Sequence, residues 1–194
     1  MKKIIVLVAL VTLTATSAFA AISGSAHDLS GAGTGVDEVC AFCHTPHNGG
    51  TQAPLWNRGA GTTVTLEYNS STMNASSGSG TSDAPLCLSC HDAGSLTSLQ
   101  MTNIPNGDTY NPASLTLATN ASLGTDLSND HPVGFSYADS TGDADILAAP
   151  INGVALFDGD VWCSSCHDVH DNSNAPFLVM SNSNSDLCLS CHNK

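Results

Sequence analysis

The chain has 194 residues and a formal net charge of −13, with 17 acidic side chains against four Lys and Arg. A surface this acidic repels nucleic acid and anionic lipid, and excludes both as partners. Aromatic residues are only 5% of the chain. Long runs of Gly, Ser, Thr, Asn and Asp also bury too little apolar surface to offset chain entropy, so an ordinary apolar core is excluded too.

In chain order, the first element is a leader. Lys2 and Lys3 precede an apolar run from Ile4 to Leu13, and Ala18-Phe19-Ala20 gives the small-x-small pattern of a processing site. The run is too short to span a bilayer, so residues 1–20 are expected to be a cleaved signal peptide. The expected mature chain, 21–194, is then secreted and has no membrane span. It keeps only Arg58 and Lys194 as basic residues, and 15 of its 17 acids are Asp. A small, polar stretch, Ser23-Gly24-Ser25-Ala26, carries His27 next. Such a terminus is mobile unless something fixes it.

Four attachment motifs follow. All eight Cys lie in pairs, Cys40/Cys43, Cys87/Cys90, Cys163/Cys166 and Cys188/Cys191, and His44, His91, His167 and His192 directly follow the second Cys of each. Cys-x-x-Cys-His is the attachment signature of c-type haem. Two thioethers hold the porphyrin, and the adjacent His is held beneath the iron as its proximal ligand. Disulfides or zinc sites would explain the paired Cys but not the His after each pair. The expectation is four covalently bound haem c groups.

Eight His occur in all, so the four that remain, His27, His47, His131 and His170, match the number of distal positions. His47 and His170 each stand three residues after a proximal His. Neither can easily reach the distal face of the adjacent haem, so each should ligate a neighbouring one and force close haem packing. Which distal His serves which haem is open at this stage. Met73, Met101 and Met180 could compete for an axial position, but a complete set of His leaves them as packing residues.

The chain also repeats. Motif one is followed by Ala53-Pro54-Leu55 and then Leu86-Cys87-Leu88-Ser89-Cys90-His91. Motif three is followed by Ala175-Pro176-Phe177 and then Leu187-Cys188-Leu189-Ser190-Cys191-His192. One lone His precedes each half. Two dihaem repeats, about 27–92 and 131–192, are therefore expected within one tetrahaem domain spanning 21–194. Asp92–Asn129 reads as a polar connector, and Asn69–Asp83 shows no sustained period. The expected fold is mostly coil with short helices at the attachment motifs, little regular sheet and haem as its core.

These motifs, with His27-Asp28-Leu29-Ser30, Ala53-Pro54-Leu55-Trp56-Asn57 and His131-Pro132-Val133-Gly134, resemble the doubled Cys-x-x-Cys-His cytochromes. They are most similar to the tetrahaem extracellular cytochromes of the OmcE type, which polymerise into filaments. The resemblance implies bis-His haems in alternating parallel and T-shaped stacks, with a His of one subunit ligating a haem of the next. His27 is the residue expected in that role. It also implies an electron-conducting, cell-surface filament that self-associates head to tail and exchanges electrons with other cytochromes. The alternative is a monomeric periplasmic shuttle. A reductase acting on a small anion is disfavoured, because a fourth distal His would close the iron and the basic residues suited to such a substrate are missing. Bis-His ligation should give low potentials, lowered further by the acidic surface.

Overall fold

The computed structural model describes residues 22–193, apart from 52, 60–62, 79, 81, 93–95 and 97–99. The expected signal peptide, the predicted mature N-terminal residue Ala21 and Lys194 lie outside the described residues. The fold is mostly coil with short helices and one small antiparallel sheet, in which β1 (Phe135–Ser136) pairs with β2 (Asp160–Val161) in the register Phe135↔Val161. No helix among the described residues is long and apolar enough to cross a membrane.

Helical turns sit on the attachment motifs. A 3-10 turn spans Val39–Phe42, α1 spans Ala84–His91, α2 is Tyr137–Ser140 beside the sheet, α3 is Cys163–Cys166 and α4 is Asp186–Leu189. Residues three apart in a helical turn share a face, which brings both Cys of a motif to one side. The turn is closed alike in three motifs. The N–H of His44, His167 and His192 donates to the carbonyl of Cys40, Cys163 and Cys188 at 2.8, 3.0 and 2.9 Å. In α1, Pro85 stands in the first turn, where its missing N–H costs nothing.

Among the described residues, buried apolar side chains gather in two small clusters. Val36, Phe42 and Met101 form one, with Leu29, Ala41 and Tyr110 against it. Ala75, Phe135, Tyr137 and Val161 form the other, joined by Met73, Ile146, Leu156 and Cys191. Two segments read from sequence as unstructured are parts of these walls. Residues 69–83 cover the second cluster through Met73 and Ala75, and Gly78 N–H donates to Gly134 O at 2.9 Å. The connector is no free linker either. Thr102 donates to Asn57 O, Asn111 to Thr34 O and Leu127 to Leu66 O at 2.8, 2.7 and 2.9 Å, while Met101, Leu115 and Leu127 are buried. Its backbone bonds replace the sheet or helix that a periodic sequence would make.

The acidic composition has a local cause. Asp28, Asp126 and Asp171 each accept from the backbone N–H and the hydroxyl of the Ser two residues on, with hydroxyl contacts of 2.5, 2.6 and 2.5 Å. These bonds hold the three carboxyls below their usual pKa. Asp reaches its own backbone in this way and Glu does not, so turns select Asp.

Candidate haem-binding site

The two loops carrying motifs one and three are built alike. His44 and Trp56 form an antiparallel bridge, as do His167 and Leu178. Thr45 N–H donates to Leu55 O at 2.8 Å and Asp168 N–H to Phe177 O at 2.7 Å. Asn57 N–H returns to Cys43 O at 2.8 Å and Val179 N–H to Cys166 O at 3.0 Å. Leu55 and Phe177 both hold positive φ, at 55° and 59°. In the first loop a Cβ on Gly49 would lie 2.6 Å from the Leu55 carbonyl carbon, so the approach needs glycine.

The repeated Ala-Pro pair anchors the imidazole of a motif His. Pro54 O lies 2.7 Å from His44 Nδ1, and Pro176 O lies 3.1 Å from His167 Nδ1. Ala121 O, in the connector, does the same for His91 at 2.6 Å, and Pro132 O for His131 at 2.9 Å. A carbonyl only accepts, so Nδ1 carries the proton and Nε2 keeps its lone pair. This is the tautomer and the backbone anchor of a metal-binding His.

Three of the four lone His face a motif His. Ring centres are 6.1 Å apart for His27 and His91, 6.1 Å for His44 and His170, and 6.3 Å for His131 and His192. Two imidazoles on opposite faces of one metal ion have centres about 6 Å apart, given a metal–nitrogen bond of about 2 Å. Each pair joins one motif His to one lone His, and in each at least one ring has its Nδ1 anchored by a carbonyl. The residues present therefore fit an iron held between two imidazoles.

His27 is not a free terminus. It stacks on Phe177 at 4.4 Å and 15°, and its segment is turned by Ser25 N–H to Ile22 O and Asp28 N–H to Ser25 O. Burial, then the charges of His91 and His167, push its pKa down and keep it neutral. Stacked on Phe177, His27 lies opposite His91 of its own chain. His47 and His170 are exposed. Among the described residues, neither His47 nor His167 faces another imidazole at the separation of the three pairs.

None of the eight Cys is in a disulfide, and the neighbours of each motif follow chain order. Cys43 lies near Cys87, Cys90 and Arg58. Cys163 is raised first by a hydrogen bond with Cys87, then by burial. Cys166 is raised by burial and by Cys191 and Cys188. Motif one thus neighbours motif two, two neighbours three, and three neighbours four. Asp83, Cys87 and Cys163 place ligand atoms within 4.8 Å of one another. Both sulfurs belong to attachment motifs, and Asp83 is engaged elsewhere. Its carboxylate accepts from Cys163 N–H and Ser164 N–H, both at 2.9 Å, capping α3 from the other half of the chain.

Sequence reasoning missed a polar group beside motif one. Asn57 is fully buried and spends its whole amide, donating to Ala41 O at 2.6 Å and Asn103 O at 2.8 Å and accepting from Asn103 N–H at 2.8 Å. Arg58 is 5% exposed, yet its Nε and Nη1 have no hydrogen-bond partner, nor do Tyr110 Oη and Trp56 Nε1. Burial raises the Tyr110 pKa, and the nearby Arg58 guanidinium opposes the rise by its charge and its approach to the hydroxyl. The three Met are packing residues. Met101 is in the first cluster, Met73 is against the second, and Met180 accepts from Ser190 Oγ at 3.4 Å.

A family profile for the doubled CXXCH motif matches residues 155–194. That motif is typical of multihaem c-type cytochromes, and it implies a multihaem electron carrier with covalent haem c. No curated protein matches the chain.

Proposed function

We propose that the chain binds four haem c groups and passes electrons along them, rather than acting as an enzyme. The observation that carries this reading is the facing of three lone His, His27, His170 and His131, with three motif His, His91, His44 and His192, at 6.1–6.3 Å. When bound, haem supplies one-electron chemistry at iron. The protein supplies the rest. The Cys pairs would fix the porphyrins, the backbone carbonyls set imidazole tautomer and orientation, and at three sites a second imidazole would hold the iron opposite the motif His. A closed, six-coordinate site changes little on reduction, which suits transfer and opposes substrate binding.

The finer reading is a subunit of an extracellular filament. It rests on the resemblance, on the expected leader and on one relation within the chain. His170 of the second repeat faces His44 of the first, and the same relation repeated between copies would be heterologous and would not close on itself. His47 occupies the equivalent place in the first repeat. If a second copy continues the same relation, its His47 meets His167 of the first copy, and head-to-tail growth follows. The junction residue is then His47, in place of His27.

Haem-stained electron microscopy of material sheared from cells tests this, with intact mass confirming four haem adducts. Thin haem-positive filaments that vanish in His47→Ala are expected. Filaments that persist in that variant would refute the junction. A soluble monomer with every haem low-spin would leave the alternative, a periplasmic shuttle. A mass lacking the adducts would end the haem reading itself.

A further inference from the structure

We propose that Arg58, with Tyr110 and Trp56, binds a propionate carboxylate of the haem attached at Cys40 and Cys43, and that this makes that haem the most oxidising of the set. The proposal rests on the haem reading above and goes beyond it by giving one haem a distinct place in the electron sequence.

Arg58 is buried at 5% exposure, and two of its donors, Nε and Nη1, have no partner. Among the described residues no carboxylate forms an ion pair with it; the single ion pair there joins His170 and Asp168 at 3.6 Å. Leaving a guanidinium buried and unpaired costs several kcal/mol, so the fold requires an anion at this place. The surroundings say which kind. Tyr110 Oη and Trp56 Nε1 are also buried donors without partners. Trp56 bridges to His44, with ring centres 6.4 Å apart, and Tyr110 meets Phe42 inside the first attachment turn at 6.3 Å. Every orphan atom here can donate, and all flank motif one. Haem carries two carboxylates, and a planar guanidinium with two neighbouring donors suits a carboxylate.

Beside the second loop, Trp162 Nε1 is also a buried donor without a partner, but no cation accompanies it. Counting from the paired backbone bonds of Asn57 and Val179, the position of Arg58 is taken by Met180, whose sulfur accepts from Ser190. A cation beside a porphyrin favours the state with the extra electron. In a chain whose other charges are almost all negative, one buried cation therefore separates the first haem from the other three. Electrons entering the chain should come to rest there.

Redox titration of the full holoprotein tests this, after intact mass has shown all haems attached. Arg58→Gln keeps most of the bulk and removes the charge. The highest midpoint potential should fall while the other three stay, and Arg58→Lys should restore part of it. Met180→Arg should raise a second potential, a readout that survives even if Arg58→Gln folds poorly. Unchanged potentials in Arg58→Gln and Met180→Arg would overturn the proposal. So would a highest potential that moves with chloride concentration, since a free anion would then occupy the site. Absence of haem from Cys40 and Cys43 in the wild type would instead refute the underlying haem reading.

Discussion

The loops 40–58 and 163–180 share one backbone scheme and differ in what they enclose. In both, a helical turn presents two Cys, the next His is anchored by a proline carbonyl, and a short antiparallel return closes the loop. The first loop then buries Asn57 and Arg58 against the connector, whereas the second places Val179 and Met180 at the same positions. Haem attachment needs the shared part, which is why it recurs. The interior is free to diverge, and there the first repeat has acquired a fully bonded amide and an unpaired cation. Conserving the frame while changing the lining lets two similar sites differ in stability and potential.

The largest way to break the comparison is to remove one attachment. Cys163→Ala with Cys166→Ala should lose one haem by intact mass and melt the structure around β1 and β2, since β2 ends at Val161, two residues before Cys163. The first loop, with its own cluster and Asn57, should keep its haem. Next in size is His131→Ala, which should open a single haem, at Cys188–His192, to carbon monoxide while both halves stay docked.

Smaller effects separate the interiors. Asn57→Ala strands Ala41 O, Asn103 O and Asn103 N–H in a buried site and should cost about 3 kcal/mol in thermal unfolding. Val179→Ala should cost clearly less, since that side chain makes no such bonds. Equal losses would mean the two interiors are energetically alike. Asp83→Asn weakens the carboxylate cap on α3 and should cost about 1 kcal/mol. It should do so by loosening the contact between halves rather than by losing haem.

The parts legible in sequence were those with a fixed local spacing. Cys-x-x-Cys-His reads directly because both sulfurs and the imidazole come from one helical turn, and the coil-rich fold follows from a chain too polar to bury much. The Ala-Pro repeat was visible as a string, but its task falls to a main-chain carbonyl, which no side-chain pattern announces. Residues 92–129 looked like a linker because single anchors, Met101, Leu115 and Leu127, and scattered backbone bonds hold them instead of a periodic face. Asp28, Asp126 and Asp171 read as surface charge, although each is a turn device. His27 looked mobile because its partners, His91 and Phe177, are 64 and 150 positions away.

The central claim is that lone His close haem sites belonging to other motifs, and His170→Ala tests it most directly. Carbon monoxide binding by the reduced holoprotein, counted per chain against wild type, should rise by one haem. That added site should vanish when Cys40 and Cys43 are also replaced by Ala, since His170 faces His44. No added site in His170→Ala, or one that persists without the Cys40–Cys43 attachment, would contradict the pairing.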